Sequence, residues 1–195
     1  VVKFKLNEKK ADEDVYALAW TTTPWTLPSN LALTVNPNLE YVYLRDKSDG
    51  IIYLLAKKLV HNFFKNPQEY EILEEIKGRK LEGKEYEPLF DYFKNNKNSF
   101  RFLLGDFVTA DDGTGIVHTA PAFGEDDYAI CKKYGITMVQ PVDEKGKFTK
   151  EVKDFQGQFV HDSNKNIIEF LKKSKKIVLI KKIEHEYPFC YRCET

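Results

Sequence analysis

Short runs of β-branched and aromatic residues, divided by turn-forming clusters, dominate the chain. Residues 15–20 (Val-Tyr-Ala-Leu-Ala-Trp) form a mostly apolar stretch bounded by an acidic segment and a proline-containing turn, which reads as a buried strand. Further strands are expected over 2–6, 31–35, 40–44 and 50–55. Asn36-Pro37-Asn38 and Lys47-Ser48-Asp49-Gly50 supply turns between the last three. Residues 56–64 predict a short helix that stops before Asn66-Pro67, whereas 70–76 and 101–108 alternate as half-buried strands do. The stretch 92–100 has no hydrophobic period and carries Lys94-Asn95-Asn96-Lys97-Asn98 at its centre, so it reads as a solvated loop.

Gly115 to Thr119 forms another short apolar strand. Helical spacing of Tyr128, Ile130, Cys131 and Tyr134 predicts a helix over 125–134, ending at Gly135, a residue suited to the left-handed closing position. The same period recurs over 163–173 through Ile167, Ile168, Phe170 and Leu171, with Ser163 as its start. A strand over 176–183 closes the pattern. The fold expected is mixed α/β and strand-rich, with no internal repeat.

Composition narrows the picture. Its 195 residues suit one sizeable domain or two small ones, and with 42% hydrophobic and 14% aromatic residues it can bury a real core. Lys+Arg and Asp+Glu both number 30, a balance that argues against gripping long stretches of nucleic acid, because phosphate neutralisation supplies most of that affinity. Any such contact is expected to be local or shared with another domain. Three cysteines make no disulfide framework, which favours a reduced, cytoplasmic setting. No apolar run reaches the roughly 18 residues of a membrane span, and no secretory signal opens the chain. It begins Val1-Val2-Lys3 without a Met and stops soon after a Cys-x-x-Cys, so both ends are expected to be cut from something larger.

Two segments carry candidate chemistry. In Trp20-Thr21-Thr22-Thr23-Pro24-Trp25-Thr26-Leu27-Pro28, a strand runs into hydroxyls and then a proline that ends ladder pairing. Threonine hydroxyls donate and accept, and their methyls offer a small apolar wall, suiting a polar substrate with a short aliphatic side chain. The plainer reading is that Thr is a good strand former. In Asp112-Gly113-Thr114-Gly115-Ile116-Val117-His118-Thr119-Ala120-Pro121, two glycines permit a tight turn. His118 ends a strand, and Asp127 follows nine residues later at a helix start. One loop can bring both to a common cleft, although acidic residues also simply cap helices, and a strand-end histidine is commonly just packed.

Together the two segments resemble the isoleucyl-tRNA synthetase editing insertion. The run Trp20 to Pro28, continuing Ser29-Asn30-Leu31-Ala32-Leu33, is similar to its Thr-rich signature. Gly113 to Tyr128 is similar to its second signature, Gly-Thr-Gly-x-Val-His-x-Ala-Pro-x-x-Gly-x-x-Asp-Tyr. Valyl and leucyl relatives share the fold but typically carry Thr-Thr-Arg-Pro in the first motif; Pro24 and Trp25 here favour the isoleucyl branch. Phe123 stands where many members have His. It is taken as a lineage mark and assigned no chemistry.

The resemblance implies a single editing domain over 1–195, with a β-barrel-like core and peripheral helices, and with 184–195 as a return segment toward a catalytic domain. It implies hydrolysis of valine wrongly esterified to the tRNA for isoleucine. Asp127 would hold the α-ammonium group, a task suited to a carboxylate. Thr22 and Thr23 would hold the ester, ribose or water, supported by Thr21 and Thr26. His118 and Trp25 would shape the side-chain pocket, with Gly115 allowing close approach of substrate. The partners implied are the 3′-terminal adenosine of the mischarged tRNA and the rest of the synthetase chain. No cofactor is implied for editing; ATP belongs to the synthetic domain. Cys190 and Cys193 form half of a tetrahedral zinc site that a longer protein could complete. Cys131, in a helix, fits the core. A docking module with an inactive site, a zinc-linked interaction module and a valyl or leucyl relative remain as alternatives. Lys172 to Lys176, Lys181 and Lys182 could touch tRNA phosphates, but a solvated helix end is the plainer reading.

Overall fold

The computed structural model describes residues 1–181. Cys190, Cys193, the segment 184–195 and the end of the strand expected over 176–183 lie outside the described residues.

A five-stranded sheet is built from β1 (Val2–Lys10), β2 (Glu13–Ala19), β4 (Glu40–Asp46), β5 (Ile52–Ala56) and β6 (Tyr70–Lys77), in the order β1-β2-β5-β4-β6. The three-stranded sheet has the order β7-β3-β8, from β3 (Ala32–Val35), β7 (Arg101–Leu104) and β8 (Ile116–Thr119). β2 pairs with β5 and β3 with β7 in parallel; the other ladders are antiparallel. β5 is apolar along its whole length because both its faces are covered. Ile52, Leu54 and Ala56 join the main core, while Tyr53 and Leu55 enter a second cluster with Val42 and Leu44 on the opposite face.

The sheets do not close into a barrel. Isolated bridges join them on two sides: Trp20 to Val117 on one, and Leu6 to Tyr86 with Glu85 to Arg101 on the other. Tyr86 stands edge-on to Phe4 and Phe102. The Tyr41 hydroxyl donates to the Gly115 carbonyl at 2.7 Å and accepts from the Asn36 amide at 3.0 Å, tying the sheets together within the core.

Among the described residues two α-helices flank the strands. α1 (Glu125–Lys133) packs Ile130 and Cys131 on Leu31, Ala32 and Leu103. Its end follows the expectation: Gly135 takes φ +68°, and the Ile136 amide bonds back to the Cys131 carbonyl at 2.9 Å. α2 (Val160–Lys173) buries Val160, Ser163, Ile167 and Leu171. It starts three residues before the expected Ser163, whose hydroxyl bonds the Val160 carbonyl from within the helix.

Other differences have local causes. Residues 56–64 form not an α-helix but a 3-10 turn, Lys57–Asn62, too short to propagate an α-helical ladder. The strand expected over 101–108 stops at Leu104 because Gly105 leads into a turn closed by the Val108 amide on the Gly105 carbonyl. The described part of 176–183 forms no strand element, only a bridge from Ile177 to Val2. Among the described residues no helix is long and apolar enough to cross a membrane.

Candidate functional site

Trp20 leaves β2 beside Val117 of β8 in a parallel bridge, so the Thr-rich segment and the His118 segment run out of the sheets in the same direction. Beyond Trp20, the Thr21 hydroxyl accepts the Thr23 amide at 3.0 Å, turning the chain. Pro24 then opens a 3-10 turn, Pro24–Ser29, with its ring at a position where no N–H is needed. The Trp25 amide, an orphan donor at this start, is met from 139 residues away by the Asn164 side chain of α2 at 2.9 Å.

A buried relay organises the hydroxyls. The Tyr86 hydroxyl donates to the Asn30 carbonyl oxygen at 2.6 Å, while the Asn30 amide nitrogen lies 2.8 Å from the Ala32 carbonyl and 2.9 Å from His118 Nδ1. Nδ1 must therefore accept, which places the ring proton on Nε2. That nitrogen donates to the Thr26 hydroxyl at 2.9 Å. Thr26 in turn donates to the Thr23 carbonyl at 2.8 Å, and its oxygen lies 3.4 Å from the Thr23 hydroxyl. Burial holds the His118 imidazole neutral, with its pKa lowered to about 4. With both nitrogens engaged, His118 has no free lone pair to act as a base.

Asp127 lies in the first turn of α1, where the helix dipole favours an anion. Oδ2 accepts the Ala120 amide at 2.8 Å, and Oδ1 has no partner among the described residues. Burial raises its pKa above the ordinary carboxylate value, partly countered by the Ala120 amide, and Asp126 adds to the rise. No described cation pairs with it, so a half-buried carboxylate stands without a counter-ion. Phe123, four residues earlier, meets Trp25 edge-on with ring centroids 4.7 Å apart, joining the Asp127 loop to the Thr-rich turn.

The predicted residues are thus gathered in part. Thr21, Thr23, Thr26 and His118 share one network, and Trp25 reaches the Asp127 loop through Phe123. Thr22 is exposed, with a hydroxyl free of described partners, and with Thr21 it lines a cleft of about 550 Å3 that also includes Asp112 and Leu171. Trp25, His118 and Asp127 do not line that cleft. Gly115 has no part in the gathering. It sits at the far end of β8 with φ +70°, where a Cβ would meet the Ala56 Cβ at 2.4 Å, so packing and backbone conformation account for the glycine. Sequence reading missed Asn30, Tyr86, Asn164 and, as a packing partner, Phe123. Asn30 adjoins the Thr motif and could have been flagged; Tyr86 and Asn164 carry no local signal. Cys131 is a buried core thiol, its pKa pushed up to about 12 by burial. Among the described residues no group of three or more His, Cys, Asp or Glu is placed to hold a metal ion.

No family model matches the chain. Sequence relatives do. The isoleucine–tRNA ligase of Bdellovibrio bacteriovorus is 48% identical over 197 aligned residues, covering 100% of this chain and 18% of that protein. Those of Chlamydia pneumoniae and Clostridium tetani are each 46% identical, again over 100% of this chain and 18% of theirs. The whole chain is homologous to a segment of isoleucine–tRNA ligases. It spans about a fifth of the length of these curated relatives and corresponds to an internal segment of them. Solved structures show the same fold at low identity. The crystal structure of GlLeuRS-CP1 superposes with a TM-score of 0.71 at 18% identity, covering 94% of this chain and 98% of that one. The Plasmodium knowlesi cytosolic leucyl-tRNA synthetase editing domain gives 0.64 at 14%, covering 90% and 93%. The chain therefore has the strand-rich α/β fold seen in synthetase editing domains.

Proposed function

We propose that this chain is a hydrolytic editing module, acting in the cytoplasm within an isoleucine–tRNA ligase, that removes valine esterified to the tRNA for isoleucine. The observation that carries the reading is Asp127: a half-buried carboxylate with one oxygen unclaimed, no described counter-ion, and a loop packed onto the Thr-rich turn. An α-ammonium group would supply the missing charge through a charge-assisted bond.

The step is direct attack by water on the ester carbonyl, releasing valine and the terminal ribose hydroxyl. Thr22 and Thr23 orient the ester, the ribose or the water, with Thr21 and Thr26 fixing the turn. Orientation and aimed hydrogen-bond donors do the work that a base would otherwise do, since His118 is neutral and fully engaged. Trp25 and His118 shape the pocket that turns isoleucine away. Such a second sieve is needed because one methylene is worth only about 1–3 kcal/mol to a binding pocket, a range drawn partly from isoleucine–tRNA ligases themselves.

Time courses of valyl- and isoleucyl-tRNA for isoleucine test the reading. The chain is expected to deacylate the valyl form at least tenfold faster, and Asp127→Ala to lose most of that rate while keeping its fold. Equal hydrolysis of both substrates, or an undiminished rate in Asp127→Ala, would overturn it.

A further inference from the structure

The lysines of this electrically balanced chain are not evenly used. On the five-stranded sheet Lys5, Lys10, Arg45 and Lys77 each pair with a carboxylate, and Lys57 and Lys84 pair with Glu75 and Glu8 of its strands. Between Lys165 and Lys181 the balance breaks, with six lysines against Glu169 alone. Lys176 is accounted for: half-buried, it donates to the Pro88 and Leu89 carbonyls. Lys165, Lys172 and Lys181 are exposed and form no ion pair with a described residue.

Their placement is set by the helix. Ile168 and Leu171 of α2 line the same cleft as Thr21 and Thr22, and Lys181 lines it directly. Lys165 and Lys172 stand three residues before and four after Ile168, on the helical stripe that borders the cleft. Asp112 is the acidic residue of the lining. Lys181 in the lining, with Lys165 and Lys172 flanking Ile168 on α2, thus puts cations beside a cleft whose wall holds the free Thr22 hydroxyl.

We infer that Lys165, Lys172 and Lys181 form a track for the phosphodiester backbone of the single-stranded RNA end that delivers the ester. The inference rests on the hydrolytic reading above and adds to it the surface that the nucleic acid occupies. A local track reconciles zero net charge with RNA binding, because affinity follows the phosphates neutralised at the contact rather than the charge of the whole chain.

The experiment compares the chain with a Lys165→Ala/Lys172→Ala/Lys181→Ala variant on two substrates: valyl-tRNA for isoleucine, and a 3′-valyl-adenosine ester that lacks the phosphodiester strand. The expected result is a loss of about tenfold or more in kcat/KM on the tRNA, no more than twofold on the small ester, and recovery in the triple arginine variant. The slope of log kcat/KM against log salt should shrink by about 2, from a contribution of about 0.7 per single-strand phosphate contact. Equal losses on both substrates, or an unchanged rate and salt slope on the tRNA, would overturn the track. If the unsubstituted chain cleaves neither substrate, the hydrolytic reading falls. Affinity for uncharged tRNA then still decides the track: a tenfold loss in the alanine variant supports it, and unchanged affinity overturns it.

Discussion

At the scale of single residues, His118 is decided by its neighbours. Asn30 fixes which ring nitrogen carries the proton, and burial keeps the imidazole neutral. A pH dependence of stability follows. The unfolded chain takes up a proton at this histidine near pH 6.5, whereas the folded one resists until about 4, so between those values the unfolded state binds more protons. The stabilisation is present above about pH 6.5 and is lost as pH falls toward 4, by at most roughly 3 kcal/mol at about 1.4 kcal/mol per pKa unit. Urea unfolding at pH 7.5 and 5 should show a steeper loss for the native chain than for His118→Gln; parallel losses would mean that His118 is not held neutral. The histidine was legible in the sequence as a candidate. Its tautomer was not, because Asn30 and Tyr86 lie 88 residues before it and 56 residues after Asn30.

Among elements, the 3-10 turn Pro24–Ser29 shows how a distant helix completes a local motif. Its first free amide, that of Trp25, has no acceptor within the turn and is satisfied by Asn164 of α2. Removing that acceptor should cost about 1 kcal/mol, the usual value of a lost cap. In Asn164→Ala the thermal midpoint should fall and tryptophan fluorescence should report a loosened Trp25, while Asn164→Asp keeps the acceptor and most of the stability. Unchanged stability in the alanine variant would mean that water replaces the cap. Helix ends with the right residues were readable, as at Gly135. The β1–β2 hairpin was harder, because its turn places Ala11 and Asp12 at φ +49° and +63° without the Asn-Gly signal expected of such turns. The far half of β1, Glu8 to Lys10, is polar and gives no hydrophobic alternation.

At the scale of the whole molecule, the two sheets meet where β8 begins. A side chain at Gly115 would strike Ala56 and be held at the strained φ of +70°, so Gly115→Ala should destabilise the chain by about 1–3 kcal/mol in a denaturant titration. An unperturbed midpoint would show that the sheets can part there without cost. By itself the sequence determined most strand positions, both helices, the core thiol and the two motifs, because period, turn residues and contiguous chemistry are local properties of a chain. Only the tertiary structure decided that the sheets are bridged rather than closed, and that Gly115 serves packing. It also decided that His118 is locked by Asn30 and that Asn164 holds the Trp25 turn. Each of these depends on which residues distant in sequence come within about 3 Å of one another, the reach of a hydrogen bond or a steric clash, and no local pattern encodes that distance.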